Sequence, residues 1–186
     1  MNTRDKIIQT ASSLFQLQGY HATGLTQILE QSATPKGSMY YHFPQGKEQL
    51  AVEAIKYMKE FVQEKNEEIL ENYEDAVEAI QRIILDVADH FEKDDHAPGF
   101  PVGLLAAETA STSELLQQAC QQAFEAWEGG YYKKLTANGW DEASAQNMAI
   151  VVNSLIEGSI LRALANKSSK PLQIAAAQIP QLLKQT

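Results

Sequence analysis

Residues 36–47 read Lys-Gly-Ser-Met-Tyr-Tyr-His-Phe-Pro-Gln-Gly-Lys. Two ammonium groups, a hydroxyl, two phenols and an imidazole in so short a span are hydrogen-bonding groups suited to phosphate oxygens and base edges. If the span is helical, Met39 and Phe43 lie four residues apart and pack inward. Lys36, Gly37, Ser38, Tyr40, Tyr41 and His42 then face outward. Pro35 at the first helical position wastes no hydrogen bond, and Gly37 leaves the next backbone N–H groups uncovered. Such a helix start favours an anion, and Lys36 adds a full charge there. Lys47 opens the next helix, where a second phosphate contact would fall. The same residues also suit an ordinary polar, aromatic surface helix.

Other candidate chemistry is thin. The single cysteine, Cys120, excludes an internal disulfide and a CxxC motif, and beside Ala119 and Ala123 it reads as a core thiol. His21, His90 and His96 with Asp89, Asp94 and Asp95 contain one well-spaced pair, His90 and Asp94, so they read as a solvated acidic helix end and no metal is expected. Ser111, Ser113 and Glu114 read as a cap before an apolar run. The sequence has no glycine-rich phosphate loop and no nucleophile elbow, so neither an enzyme nor a cofactor is expected.

The 186 residues are 44% hydrophobic and 21% charged, an ordinary globular balance. The longest apolar run is Met148 to Val152, far short of the ~20 residues of a membrane span. Arg4, Asp5 and Lys6 precede an amphipathic pattern where a signal core would be apolar. A cytoplasmic protein with no membrane partner is expected. The net charge of −9 is unevenly spread. Residues 1–47 hold four Lys/Arg against two acids, and the remainder holds 11 against 22. A nucleic-acid binder needs only a local positive face, so the acidic total excludes nothing.

The elements that must position these groups are helices. Spacing predicts them near 3–18, 25–32, 36–43, 47–70, 75–93, 102–110, 113–137, 141–166 and 172–185. Ala76, Val77, Ile80, Ile83, Ile84, Val87, Ala88 and Phe91 give the clearest apolar stripe. Gly129–Gly130 can kink or split the seventh helix, and Pro180 should bend the ninth. The fold class is all-α: a small N-terminal three-helix head, containing a helix-turn-helix, on a larger helical body. The expected domains are 1–48, the helix-turn-helix head whose groups suit DNA, and 49–186, the body.

Gly19-Tyr20, Thr23, Ile28, then Lys36-Gly37-Ser38-Met39-Tyr40-Tyr41-His42-Phe43 and Lys47-Glu48-Gln49-Leu50 resemble the DNA-binding head of TetR/AcrR-type transcriptional repressors. Pro44 to Leu50 with Gly99-Phe100-Pro101-Val102-Gly103 is similar to the LmrA/YxaF-like branch, which usually has cysteine where this chain has Phe100. The resemblance implies that Lys36, Gly37 and Ser38 start the recognition helix and reach the major groove. It implies that Tyr40, Tyr41 and His42 contact phosphates or base edges, that Lys47 and Thr26 meet phosphates, and that Tyr20 packs. The family's turn usually carries Ala-Gly-Val, and here it reads Ser32-Ala33-Thr34. Ala33 would be strained by about 1 kcal/mol if a positive φ is needed there, and Thr34, in place of an apolar staple, would leave the turn looser.

The reading that follows is a ligand-responsive repressor that leaves a palindromic operator when a small molecule fills its body. Ser154, Gly158, Leu161 and Ala165 form a mostly small stripe permitting close helix approach, and Leu172, Ile179, Leu182 and Leu183 give the last helix an apolar surface. The resemblance implies that these pair as a four-helix bundle in a homodimer. Phe61, Phe91, Phe100, Phe124, Trp127 and Tyr131, with Asn153 and Glu157 as polar anchors, are candidates for an effector pocket. They would suit a flat, apolar aromatic compound such as a drug or plant phenolic; the same aromatics also serve as ordinary core. The alternatives are a helical enzyme or carrier with an incidental helix-turn-helix, and a TetR-like dimer that recruits a partner protein.

Overall fold

The computed structural model describes residues 2–93 and 102–184, and the described residues form nine α-helices and no strand. They are α1 Thr3–Gln18, α2 Leu25–Gln31, α3 Lys36–His42, α4 Lys47–Asn72, α5 Ala76–Glu92, α6 Val102–Thr109, α7 Glu114–Ala137, α8 Glu142–Asn166 and α9 Lys170–Leu182. Spacing and caps place their ends. The Asn2, Asp75 and Asp141 side chains accept from the N–H groups of Asp5, Glu78 and Ser144 at the starts of α1, α5 and α8. α7 runs as one helix through Gly129–Gly130, so the glycines do not split it. Packing accounts for Gly130, where a Cβ would lie 3.3 Å from Leu70 Cδ1 of α4, whereas a Cβ at Gly129 would meet nothing within 4 Å.

The chain divides into two compact units, and the division falls inside α4 and α7. The first holds residues 2–61 and 102–123, in which α1 packs on α2, α3 and α6. Ile7, Phe15, Ile28, Met39, Phe43, Leu50, Ile55 and Leu105 are fully buried. The short helices α2 and α3 bury one residue each, Ile28 and Met39, within their own spans. They are held in place by the core they share with α1 and the start of α4, as isolated helices of this length are unstable in water. Arg4 of α1 bonds Glu53 of α4 at 2.5 Å and lies 5.7 Å from the centre of the Phe43 ring. Burial works against ionisation of Glu53, but hydrogen bonds from Lys56 and Arg4 outweigh it and hold the carboxyl below its ordinary range.

The second unit holds residues 62–93 and 124–184, with α9 packed on α5 and α8. The α5 stripe is buried as expected at Ala76, Ile80, Ile83, Ile84 and Ala88. Lys134 of α7 donates to the Leu70 carbonyl at 2.9 Å and to that of Tyr73, satisfying the acceptors left free where α4 ends. α8 is by length and composition apolar enough to cross a membrane, with a mean hydropathy of 1.5 over eighteen residues. Much of that apolarity is used inside the chain, where Ala145, Ala149, Val152, Ile156, Ile160 and Ala163 are buried.

Pro180 lies inside α9 and cannot donate to the Ala176 carbonyl four residues back. Gln81 of α5 supplies the missing donor, its Nε2 lying 2.9 Å from that oxygen. Replacing Gln81 by leucine should therefore cost about 1–3 kcal/mol, the penalty of an unsatisfied acceptor. In a Pro180→Ala background the backbone N–H returns, and most of that cost should vanish. Urea unfolding of the four proteins measures the difference, and equal costs in both backgrounds would contradict the pairing.

Candidate nucleic-acid interface

The turn between α2 and α3 sets the angle at which α3 is presented. Ala33 N–H bonds the Glu30 carbonyl at 3.1 Å and Thr34 N–H bonds that of Leu29 at 3.0 Å. This is a Schellman motif with Ala33 at the left-handed position, φ 51°. The ends of α7 and α8 repeat the motif with Gly139 and Lys167 in the same place. Glycine fits without strain, whereas Ala33 and Lys167 each carry about 1–2 kcal/mol of it. Thr34 does not loosen the turn. Its hydroxyl lies 2.7 Å from that of Ser32, which in turn donates to the Leu29 carbonyl at 3.2 Å, so hydrogen bonds replace the apolar staple.

α3 presents the expected face. Met39 and Phe43 are fully buried, while Tyr40 is 58% and Tyr41 83% exposed. Lys36 and Gly37 are exposed, Ser38 and His42 are half-buried, and Thr26 is exposed in the first turn of α2. A Cβ added at Gly37 would meet nothing within 4 Å, so no neighbour in the chain requires glycine there. Pro35 stands at the N-cap, one residue before the helical position expected of it, with extended ψ of 144°. Its ring disfavours helical geometry in the residue before it, Thr34, which keeps the turn separate from the helix.

Lys47 is less free than the surface residues of α3. Its ammonium lies 4.3 Å from the centre of the Tyr20 ring, a cation–π contact. Burial pushes its pKa down, while the charge of Glu108 pulls the other way. Tyr20 packs, as expected, with its ring 5.7 Å from that of Phe15. Glu108 of α6 joins this group, although nothing in its local sequence marks it as a partner of the α1–α2 loop. Its Oε2 accepts from Tyr20 N–H at 2.5 Å and His21 N–H at 3.3 Å. Ser113, after α6, donates to Glu48 at 2.6 Å and accepts from Leu116 N–H at 3.2 Å, so it caps α7 as expected and also ties down the start of α4. No local period links residues so far apart in sequence.

In the second unit the structure brings several of the expected pocket residues together. Trp127, Tyr131 and Asn153 are buried, and the Phe124 and Trp127 rings lie 6.0 Å apart, edge to face. Asn66 Nδ2 donates to the Tyr131 hydroxyl at 3.1 Å, and Asn153 Nδ2 to Glu128 at 3.2 Å. Burial pushes the Tyr131 phenol well up, and the Glu157 and Glu128 charges add to it, so it stays a neutral hydroxyl. Asn66 and Glu128 are additions to the expected set. Phe91 is half-buried, Phe61 belongs to the first unit beside Tyr57, and Phe100 lies outside the described residues. A separate open cleft of about 260 Å³, lined by Lys65, Asn72, Tyr73, Arg82, Asp86 and His90 among others, includes none of the expected pocket residues.

Of the expected pairing surface, Ser154, Gly158, Leu161 and Ala165 are exposed on α8. Leu172, Ile179 and Leu183 are not part of an outer face. They are buried within the chain, where α9 packs on α5 and α8, and Leu182 is half-buried. The side of α9 that faces out carries Ile174, 54% exposed, and α8 adds Ile150 and Val151, each 44% exposed. The helical phase of α9 was the missing information, since its apolar residues serve both faces.

Residues 7–54 match the family of bacterial regulatory proteins designated tetR, and residues 76–178 match the C-terminal domain of LmrA/YxaF-like transcriptional regulators. The chain is 46% identical to the HTH-type transcriptional regulator YxaF of Bacillus subtilis over 183 residues, covering 98% of this chain and 96% of that one. It is equally similar, at 46%, to LmrA of the same organism, covering 98% and 97%. The crystal structure of a TetR transcriptional regulator from Legionella pneumophila superposes with a TM-score of 0.87 at 26% identity, covering 99% of this chain and 98% of that one.

Proposed function

The chain belongs to the TetR family of helix-turn-helix transcriptional regulators, and from that premise we propose that a cytoplasmic homodimer holds a palindromic operator with α3 and releases it when a flat aromatic compound enters the body. The observation that carries the DNA half is the face of α3, where buried Met39 and Phe43 anchor a helix whose Tyr40 and Tyr41 stand in solvent. Exposed phenols beside Lys36 can donate hydrogen bonds to phosphate oxygens. Residues 1–48 serve as the DNA-binding domain and 49–186 as the body. Lys36, Gly37 and Ser38 reach the major groove, Tyr40, Tyr41 and His42 take phosphates or base edges, and Thr26 and Lys47 take phosphates.

The dimer half is supported by the outward faces of α8 and α9, where Gly158 and Ala165 allow close approach and Leu161 and Ile174 supply apolar area. The effector half is supported by the ring pair Phe124–Trp127 beside the hydrogen-bonded Tyr131 and Asn153. A ligand there acts only through unequal affinity for the DNA-bound and free shapes.

Tryptophan emission tests the effector half. In a Trp140→Phe background Trp127 is the sole reporter. A flat phenol that binds should quench it and release the operator over one concentration range, and Trp127→Ala should weaken release roughly tenfold or more, as expected for loss of a buried aromatic contact. Quenching with operator affinity unchanged, or release unaltered by Trp127→Ala, would contradict this reading.

A further inference from the structure

The loop between α1 and α2 is built around a carboxylate that comes from α6. Tyr20 and His21 direct successive backbone N–H groups at Oε2 of Glu108, at 2.5 and 3.3 Å, and the His21 ring Nε2 lies 3.3 Å from the Glu108 carbonyl oxygen. Gly19 makes room. A Cβ there would stand 2.2 Å from Glu108 Oε1, and the residue adopts φ +83°, which L side chains rarely adopt. Thr23 closes the loop from beneath, its buried hydroxyl donating to the Gly19 carbonyl at 2.7 Å. Converging backbone N–H groups next to a glycine of positive φ form an anion cradle, and Glu108 fills it.

The consequence reaches the operator-facing side through Tyr20. The residue whose N–H is held by Glu108 carries the ring on which the Lys47 ammonium lies at 4.3 Å. Lys47 has a flexible four-carbon stem, and a lysine without a shelf loses more rotamer freedom when it meets a phosphate. We propose that Glu108 is a positioning residue for operator binding: by seating the Tyr20–His21 backbone it holds the Tyr20 ring in place, and the ring holds Lys47 where it meets the DNA backbone. This rests on the reading of Lys47 as a phosphate contact. A purely structural role would be narrower, with the carboxylate satisfying two loop amides and leaving DNA affinity alone.

The test uses the full-length protein on a palindromic duplex recovered by selection from random DNA, with affinity measured from about 50 to 200 mM salt, where phosphate contacts register as slope. Lys47→Ala should flatten the log–log slope by about 2 per dimer, close to one phosphate per subunit. Glu108→Ala should reproduce most of that flattening although Lys47 is still present, and adding Lys47→Ala to it should change little more. The His21 amide is exposed and that of Tyr20 part-buried, so water can reach the vacated loop, and circular dichroism checks that the variant folds. Glu108→Gln keeps an oxygen that can accept both N–H groups and should restore the slope. Tyr20→Phe should behave as wild type, and Tyr20→Ala should behave as Glu108→Ala, which reads the shelf by a second route. Additive effects of Lys47→Ala and Glu108→Ala on log Kd, or an unchanged slope in Glu108→Ala, would overturn the proposal and leave Lys47 as an independent contact. An unchanged slope in Lys47→Ala would remove the phosphate reading itself, and this inference with it.

Discussion

Arginine in place of Gly158 is expected to leave each chain folded, to give monomers, and to weaken operator binding by about 10²–10⁴-fold. Nothing lies within 4 Å of a Cβ built at exposed Gly158, so a side chain can leave the helix there towards solvent. The substitution also removes a mid-helix glycine, worth about 1 kcal/mol in helix propensity. What it damages is the approach of a second chain, because a long charged side chain would project between two α8 helices among Ser154, Leu161 and Ala165. Losing the dimer removes the effective concentration with which one bound head delivers the other, and that sets the size of the loss. Sedimentation velocity reads the oligomer and fluorescence anisotropy reads the affinity. A variant that remains dimeric and binds DNA normally would move the interface off this face.

Tyr41→Ala carries the next largest effect. The side chain is 83% exposed, so its removal should leave the melting temperature within about a degree of wild type, as expected of a surface substitution. A hydrogen bond to a charged phosphate is worth about 1.5–3 kcal/mol. Two subunits lose it together, so operator affinity should fall by about 10²–10⁴-fold with stability unchanged. Tyr41→Phe, which keeps the ring and loses the hydroxyl, separates stacking from hydrogen bonding. Full affinity in Tyr41→Ala would mean that α3 does not meet DNA through this face.

The helices were legible because apolar spacing and caps act over one or two turns, and Asn2, Asp75 and Asp141 stand where a cap is needed. The α3 face was legible for the same reason, since Met39 and Phe43 fix its inward side. Four things were not. Glu108 meets residues 88 positions away, and nothing in its own neighbourhood marks it as a loop anchor. Gln81 completes a backbone bond broken by Pro180, a pairing visible only once α5 and α9 are side by side. Leu172, Ile179 and Leu183 turn inward although α9 is apolar on more than one side, and only packing against α5 and α8 decides which residues do so. Grouping of α6 with the head belongs to the same class, because it depends on α1–α6 packing and on the seat Glu108 finds in the α1–α2 loop.

Spacing of the operator half-sites tests the account most directly. Two α3 helices related by a dimer axis should occupy successive major grooves about 34 Å apart, on one face of the duplex. Inserting about five base pairs between the selected half-sites moves one of them to the opposite face. Anisotropy titration of the full-length protein should then show at least a hundredfold loss of affinity against the uninterrupted palindrome, approaching the value for a single half-site. Equal affinity for the two duplexes would mean that the heads bind independently, and would contradict a two-fold dimer reading a palindrome.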